Sequence, residues 1–368
     1  MNFNKVLDNV TIYEAGKPIE LVVREYGINP KDIIKLASNE NPYGTSPKVT
    51  KKIQEIAGNM FVYPDDSMYE LKDALSNKFE VKPSNVIVGS GSDQILEFCV
   101  HAKCDKNSKV LMSKTTFAMY EIYAKQTGSS VIKTVDDEHN LEQFSAMYKE
   151  HGADIIFLCL PNNPLGECLD KDDVYAFLET IDKETLVVVD GAYQEYASFK
   201  DPKKKIDAKD LINTFPNCIY LGTFSKAYAL GGMRVGYGIA QEDIIETLYK
   251  LRAPFNITTL TLAAAIEAIK DEEFVNKCIA LNFEEMKRYE EYARAKGFGY
   301  IDSYTNFITL KVGENYSSKE VAQELLQRGV IVRDLTGYGV NAIRITIGTM
   351  SQNTKVFEVL DEVLEKIK

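Results

Sequence analysis

The sequence predicts an α/β fold, with a large domain built on a mostly parallel central sheet flanked by helices and a small α+β domain. Two patterns support this prediction. From Ser67 to Asp190, short apolar runs alternate with amphipathic helical segments, which is typical of parallel strands covered by helices on both faces. Nearer the C-terminus, charged helices and one cleanly alternating segment replace this pattern, as expected of a smaller α+β unit.

The chain has 368 residues, 45% of them hydrophobic, which is enough for two domains. We place the large domain at residues 46–275. Residues 276–368 are expected to form the small domain, together with part of an N-terminal arm at residues 1–45. The arm is polar and contains one predicted helix at about residues 19–26. A long helix starting near Phe274 is expected to form the hinge between the domains.

Bulk properties exclude several classes of protein. The formal net charge is -11, which argues against a general nucleic-acid binder. The N-terminus lacks the apolar core of a signal peptide, and no apolar run approaches the roughly 20 residues that span a bilayer. Six cysteines without a CxxC pair and three dispersed histidines predict reduced thiols and no metal site. These features predict a cytoplasmic protein without a membrane partner.

The elements of the large domain follow from hydrophobic periodicity. Ser67 and Glu70 form a capping-box signature ahead of Leu71, Leu75 and Phe79, which recur at helical spacing. The strands are predicted at residues 86–88, 110–112, around 131, 155–160, 186–189 and 219–221. The intervening helices are predicted at residues 95–100, 117–126, from 141 and 174–178.

The C-terminal elements are predicted in the same way. A charged helix covers residues 283–296, and Ser317 with Glu320 caps a helix that stops at Gly329. Residues 343–347 alternate like a half-buried strand. A last helix places its apolar residues on one stripe, namely Val356, Leu360, Val363 and Ile367.

Polar clusters follow four of the predicted strands. They lie at residues 89–93 (GSGSD), 161–164 (PNNP), 190 (Asp) and 222–226 (GTFSK). Open parallel sheets bind ligands at the carboxyl ends of their strands. We therefore expect the four clusters to converge on one site.

The GSGSD cluster opens a predicted helix, whose free backbone N–H groups and dipole suit a phosphate. Taken alone, it is better explained as a glycine-rich turn with a serine cap. It is not a P-loop, because no Lys-Ser or Lys-Thr follows, and Gln94 stands where a dinucleotide fingerprint needs its third glycine.

Asp190 ends an apolar strand and allows two interpretations. Its carboxylate either caps the next element or forms a buried anion that holds a protonated ring nitrogen, and Tyr193 is near enough to reach the same ligand. Asn162, Asn163 and Pro164 form a strong turn signal. That turn is either a tight loop and nothing more, or a rigid support for an amide donor.

Lys226 lies at a strand's carboxyl end beside apolar Phe224 and Tyr228. Most lysines are solvated surface groups, but burial and a cationic neighbour lower the pKa of a lysine and make it nucleophilic. Nearby groups suited to phosphate oxygens are Thr223, Ser225 and Arg234.

Together these residues resemble the fold-type I pyridoxal-phosphate enzymes of the aminotransferase family, over nearly the whole chain. The resemblance is strongest with the group that acts on histidinol phosphate. The matching segments are residues 37–44 (ASNENPYG), 63–65 (YPD), 91–93 (GSD), 162–166 (NNPLG), Asp190 with Tyr193, 225–226 (SK), 231–234 (GGMR), 332–333 (VR) and 343–348 (IRITIG).

The resemblance implies a catalytic set and a cofactor, pyridoxal 5'-phosphate. Lys226 would carry the cofactor as a Schiff base, and Asp190 would pair with its pyridine N–H. Tyr193 and Asn163 would hydrogen-bond its phenolic oxygen, while Phe117 would stack on its ring. The groups that would hold its phosphate are Ser92, Asp93, Thr223, Ser225 and Arg234.

The resemblance also implies substrate and subunit contacts. Arg344 would clamp a substrate carboxylate, Tyr13 and Arg333 are candidates for the substrate's own phosphate, and Asn39 is a further substrate-binding candidate. Tyr63 would reach the cofactor phosphate of a neighbouring subunit, which implies a homodimer.

The implied reaction moves an amino group between histidinol phosphate and 2-oxoglutarate, with glutamate as the other product, in histidine biosynthesis. Gly191 and Leu165 depart from the family's usual Glu and Thr, and neither position is catalytic. Three alternatives stay open: an aromatic or other amino-acid aminotransferase, a decarboxylase of a phosphorylated amino acid, and a binding protein that has kept the scaffold.

Overall fold

The computed structural model describes residue 1, residues 3–13 and residues 19–367. Within this part of the chain the α-helices are α1 (Ile19–Tyr26), α2 (Pro47–Ile56), α3 (Tyr69–Phe79), α4 (Ser92–Lys103), α5 (Ala118–Thr127), α6 (Leu141–His151), α7 (Lys171–Leu178), α8 (Gln194–Lys200), α9 (Ala208–Thr214), α10 (Glu242–Tyr249), α11 (Thr259–Ile269), α12 (Glu272–Lys296), α13 (Ser318–Gln327) and α14 (Met350–Lys366). The strands are β1 (Ile34–Lys35), β2 (Val86–Gly89), β3 (Lys109–Met112), β4 (Ser130–Lys133), β5 (Ile155–Cys159), β6 (Leu186–Asp190), β7 (Cys218–Thr223), β8 (Gly236–Ile239), β9 (Gly299–Tyr300), β10 (Phe307–Lys311), β11 (Val330–Ile331), β12 (Arg333–Asp334) and β13 (Ala342–Thr346).

A seven-stranded sheet with the order β2-β8-β7-β6-β5-β3-β4 forms the centre of the molecule. Strand β8 runs antiparallel to both of its neighbours, whereas the remaining pairs are parallel. The predicted mostly parallel sheet is confirmed. Because β2 and β7 both oppose β8, they run the same way, and the carboxyl ends of β2, β5, β6 and β7 share one edge.

Both faces of this sheet are buried. Along β5, Ile156 and Leu158 belong to one apolar cluster, while Ile155 and Phe157 belong to another on the opposite face. Val188 of β6 belongs to the same cluster as Ile155 and Phe157. This two-sided burial explains why the strands read as unbroken apolar runs, since neither face needs polar residues.

A second core lies around the antiparallel sheet β12-β13-β10-β9. Ile345 of β13 packs there with Met286 of α12 and Leu360 of α14. Leu36 joins the same cluster, and β1 pairs in parallel with β11. The N-terminal segment thus completes the C-terminal unit. Helix α12 runs unbroken across residues 275 and 276, so the proposed domain boundary lies inside one helix.

Helix caps differ from the predictions. The predicted capping box of Ser67 and Glu70 is wrong, because α3 begins only at Tyr69. The Asp65 carboxylate instead accepts hydrogen bonds from the N–H groups of Tyr69 and Ser67, at 3.1 and 2.9 Å. Ser317 occupies the N-cap position of α13 but makes no side-chain hydrogen bond to the helix.

The prediction that residues 343–347 form a half-buried strand is wrong in its burial. All five residues of β13 are buried. Ile343 and Ile345 face the second core, and the alternate residues Arg344 and Thr346 are covered by residues 37–39 of the N-terminal segment. The alternation therefore separates a packed face from a polar interior face.

In the described part of the chain, no helix is both long and apolar enough to cross a membrane. All six cysteines are free thiols.

Candidate active site

The polar clusters that follow β2, β5, β6 and β7 meet at the shared carboxyl edge of the central sheet. Register places Asp190 beside Cys159 of β5 and Leu221 of β7. Lys226 and Arg234 lie on the loop that joins β7 to β8. The structure therefore confirms that the clusters lie together at one edge of the sheet.

Asp190 is a buried carboxylate, only 4% exposed. The Tyr120 hydroxyl donates to its Oδ2 at 2.7 Å, and the Ala192 N–H donates to its Oδ1 at 3.1 Å. Burial raises the pKa of Asp190 above its ordinary value, and these two donors oppose the rise because they stabilise the charged form. The carboxylate is held in place for a cationic or N–H partner.

The Lys226 side chain is partly buried. Its Nζ donates to the Ser38 carbonyl at 3.4 Å and lies 5.7 Å from the centre of the Tyr193 ring. Burial, followed by the positive charges of Arg344 and Arg234, lowers the pKa of Lys226 to about 8. At pH 7 roughly a tenth of this amine is therefore neutral and nucleophilic, far more than for a lysine with the ordinary pKa.

An anion cradle lies at the N-terminus of α4, formed by Ser92, Asp93, Thr223, Ser225 and Arg234. Arg234 Nη1 donates to Ser225 Oγ at 3.3 Å, and Thr223 Oγ1 donates to the same oxygen at 3.1 Å. No side chain caps the start of α4, so its first N–H groups remain available to an anion.

Two glycines allow the strands and the helix of this cradle to approach closely. A Cβ at Gly91 would lie 2.7 Å from Arg234 Nη2, and a Cβ at Gly236 would lie 2.1 Å from the Ser92 nitrogen. Gly91 also has φ of +77°, which a residue with a side chain rarely adopts. The cradle exists because both positions lack a side chain.

Tyr193 and Asn163 are linked to neighbouring side chains by hydrogen bonds. The Asn39 amide donates to the Tyr193 hydroxyl oxygen at 2.8 Å. Arg344 Nη1 donates to Asn163 Oδ1 at 2.5 Å. Burial raises the pKa of Tyr193, so its hydroxyl stays protonated and able to donate.

Arg344 is buried yet incompletely paired. Its Nη2 donates to the Ala37 carbonyl at 2.8 Å, while its Nε has no hydrogen-bond partner among the described residues. Burial lowers the pKa of Arg344, and the nearby charge of Arg333 adds to that effect. A buried guanidinium with an unused N–H group is suited to bind an anionic ligand.

An open cleft of about 560 Å³ is lined by both aromatic and basic residues. Arg333 on β12 pairs in register with Arg344 on β13. Tyr13, Phe117, Arg333 and Tyr338 all line this cleft. The structure thus brings together the two residues proposed for a substrate phosphate, Tyr13 and Arg333.

Phe117 and Tyr63 occupy different surroundings. Phe117 lies edge-on to Tyr120, with ring centres 5.6 Å apart, and so is adjacent to the group that bonds Asp190. Tyr63 is 78% exposed and stacks on Phe255 at 4.7 Å. Its exposure leaves it available to another molecule.

Sequence reasoning missed two tyrosines on α5. Tyr120 bonds Asp190, and the Tyr123 hydroxyl donates to Asp93 Oδ2 at 2.9 Å. Their spacing of three residues places both on one helix face. That spacing was visible in the sequence, but it reads equally well as ordinary core packing.

These groups can form an imine, hold a ring nitrogen, and bind a phosphate and a second anion. Asp93 Oδ1 is a further buried atom without a partner in the described chain. Within the described residues, no cluster of three His, Cys, Asp or Glu side chains is placed to hold a metal ion.

Comparison with protein families gives one match over most of the chain. Residues 31–360 match the model of aminotransferase class I and II.

Two curated relatives cover this chain from end to end. A histidinol-phosphate aminotransferase of Aliarcobacter butzleri is 75% identical over 367 residues, which is 100% of both chains. The corresponding protein of Wolinella succinogenes is 62% identical, again over 100% of both chains. Among solved structures, histidinol-phosphate aminotransferase from Sinorhizobium meliloti in complex with pyridoxal-5'-phosphate superposes with a TM-score of 0.91 at 25% identity, covering 100% of this chain and 98% of that one.

The substitution Gly236→Ala is expected to weaken pyridoxal 5'-phosphate binding roughly 10- to 100-fold. The new methyl group collides with the backbone at Ser92, and such overpacking costs about 1–3 kcal/mol. The measurement is a binding titration followed by cofactor absorbance. Gly232→Ala is the matched control, since a Cβ there meets nothing within 4 Å. Equal affinity of the two variants would show that the cradle does not bind the phosphate.

Proposed function

Because the chain belongs to the aminotransferase class I and II family, we propose that it is a pyridoxal-phosphate-dependent aminotransferase acting on histidinol phosphate and 2-oxoglutarate, a step of histidine biosynthesis. One observation carries the proposal: three groups lie together at one edge of the central sheet. They are the Lys226 amine with a pKa of about 8, the buried Asp190 carboxylate, and the anion cradle around Arg234. The names of the full-length relatives support the choice of substrate.

The residues present fit this cofactor. Its phosphate is assigned to the cradle, where Arg234, Ser225 and Thr223 already contact one another and two glycines keep the space open. Its pyridine nitrogen is assigned to Asp190, whose burial favours a charged partner. Tyr193 and Asn163 are assigned to its phenolic oxygen, and Phe117 to the face of its ring.

When bound, pyridoxal phosphate supplies an aldehyde that condenses with amines and a ring that withdraws electrons from the attached carbon. Lys226 would react with that aldehyde as the neutral amine, which burial and the two arginines favour. The same Nζ, when not bonded to the cofactor, would serve as the base for the proton on the amine-bearing carbon of the substrate. Asp190 would hold the protonated ring nitrogen, whose positive charge in turn favours the carboxylate form of Asp190.

The substrates pose a recognition problem because they carry different anions. Histidinol phosphate carries a phosphate and no carboxylate, whereas glutamate carries two carboxylates. Arg344 and Arg333 are adjacent across β12 and β13, and Tyr13 lines the same cleft as Arg333. We assign Arg344 to the carboxylate and Arg333 with Tyr13 to the phosphate. Asn39 is already committed to Tyr193 and Thr346, so its proposed substrate contact is secondary.

A homodimer is part of the proposal. Tyr63 and Phe255 form an exposed aromatic pair, and Phe61 is 86% exposed next to Tyr63. Exposed apolar residues grouped in this way are suited to an interface. We assign Tyr63 to the cofactor phosphate of the partner subunit. We propose a cytoplasmic location, in keeping with a phosphorylated biosynthetic substrate. We retain residues 46–275 as the large domain, residues 276–368 as the small domain, and residues 1–45 as the N-terminal arm and part of the small domain.

A half-reaction assay tests the substrate assignment. The protein loaded with pyridoxal phosphate is mixed with histidinol phosphate, phenylalanine or tyrosine, and the loss of visible absorbance is timed. Histidinol phosphate is expected to react faster by on the order of 100-fold or more, because a binding site left with unpaired buried charges pays a large penalty. Equal rates with phenylalanine would overturn the assignment. Release of carbon dioxide from a phosphorylated amino acid would indicate a decarboxylase.

The pH dependence of cofactor attachment tests the state of Lys226. Only the neutral amine attacks, so the rate at which cofactor-free protein captures pyridoxal phosphate should rise with pH and level off above about 8. Arg344→Gln removes a nearby positive charge and should move this midpoint to higher pH. Stopped-flow absorbance provides the rates. A midpoint near the ordinary lysine value of about 10.4 in the unsubstituted protein would contradict the account.

A further inference from the structure

Residues 37–39 touch three proposed active-site side chains, each through a different group. The Ala37 carbonyl accepts from Arg344, the Ser38 carbonyl accepts from Lys226, and the Asn39 amide donates to Tyr193. Asn39 itself has φ of +54°, in the left-handed region where a non-glycine residue carries strain. Strain of this kind persists only where the surrounding contacts hold it.

Asn39 is fixed by side chains from far along the sequence. Its N–H donates to Thr346 Oγ1 at 2.9 Å, and its carbonyl accepts from the Asn306 amide at 2.9 Å. Asn39, Thr346 and Asn306 are each at most 2% exposed. Because all three residues are buried, water does not compete for these hydrogen bonds.

The direction of the hydrogen bonds follows from this arrangement. Thr346 Oγ1 accepts from the Asn39 N–H and donates its own proton to Asn39 Oδ1 at 3.2 Å. The Asn39 side chain must then present its NH₂ group to Tyr193. The Tyr193 oxygen acts as an acceptor toward Asn39, so its proton is left to be donated elsewhere.

We propose that Asn39, oriented by Thr346, is a positioning residue that directs the phenolic proton of Tyr193 toward the cofactor. The inference rests on the proposed function, because Tyr193 is assigned there to the cofactor's phenolic oxygen. A hydrogen bond from Tyr193 would stabilise negative charge on that oxygen. It would thereby lower the pKa of the neighbouring nitrogen, which shares its proton with the oxygen. Hydrogen bonds in a chain also polarise one another, so the Asn39 amide makes Tyr193 a stronger donor.

The test is a pH titration of the visible absorbance of the loaded protein. Thr346→Val keeps the shape of the side chain but removes the hydroxyl, which frees the Asn39 amide to turn. The midpoint should then rise by about 0.5–1 pH unit, the equivalent of losing one hydrogen bond. Thr346→Ser retains the hydroxyl and should restore the original midpoint. Thr185→Val is the matched control, because Thr185 is also buried and, among the described residues, its hydroxyl bonds Ala153 and Tyr148, away from the site.

A second variant keeps the inference testable if Thr346→Val does not fold. Asn39→Gly tolerates the positive φ and removes the amide, so its midpoint should also rise. The double variant should shift no further than Asn39→Gly alone, because Thr346 acts through Asn39. An unchanged midpoint in Asn39→Gly, or a full additional shift in the double variant, would overturn the inference.

The outcomes separate this inference from the proposed function. An unsubstituted protein that binds no pyridoxal phosphate would remove both. A protein that binds it and reacts with histidinol phosphate, while the Asn39 and Thr346 variants titrate like the original, would remove the positioning role alone.

Discussion

The partial burial of the Lys226 amine near two guanidinium groups is the constraint on which the rest of the site depends. A charged ammonium in that position loses hydration and gains repulsion from Arg234 and Arg344. The protein tolerates this cost because the neutral amine is the useful form. The negative charges of Glu40 and, to a smaller extent, Asp190 oppose the lowering of the Lys226 pKa.

The sheet topology makes this arrangement possible. Parallel strands bring the ends of β5, β6 and β7 to one edge, and the loop after β7 turns back into antiparallel β8. That return places Gly236 directly against the start of α4. One loop thus carries both Lys226 and Arg234, so the nucleophile and the phosphate ligand are fixed relative to each other by the same short segment.

The sequence was sufficient for the residues that end apolar runs. Asp190, Asn163 and Lys226 follow buried strands, and a chain that exposes both sheet faces to helices leaves its polar groups at strand ends. The family membership predicted from the motifs is confirmed. The hydrogen bonds that connect distant parts of the site were not predictable from sequence. Asn39 and Thr346, for example, are bonded although they lie 307 positions apart. The alternation in β13 was also misleading, since its polar residues face the site and not solvent. The roles of Asp190, Asn163 and Lys226 in binding and catalysis stay predictions.

Borohydride reduction of the loaded protein, followed by proteolysis and mass spectrometry, tests the central claim most directly. Reduction converts an imine between a lysine and the cofactor aldehyde into a stable secondary amine. The account predicts one pyridoxyl-phosphate group, located on the peptide that contains residue 226, and none after Lys226→Ala. A label on another lysine, or a fully loaded protein that takes no label, would contradict it.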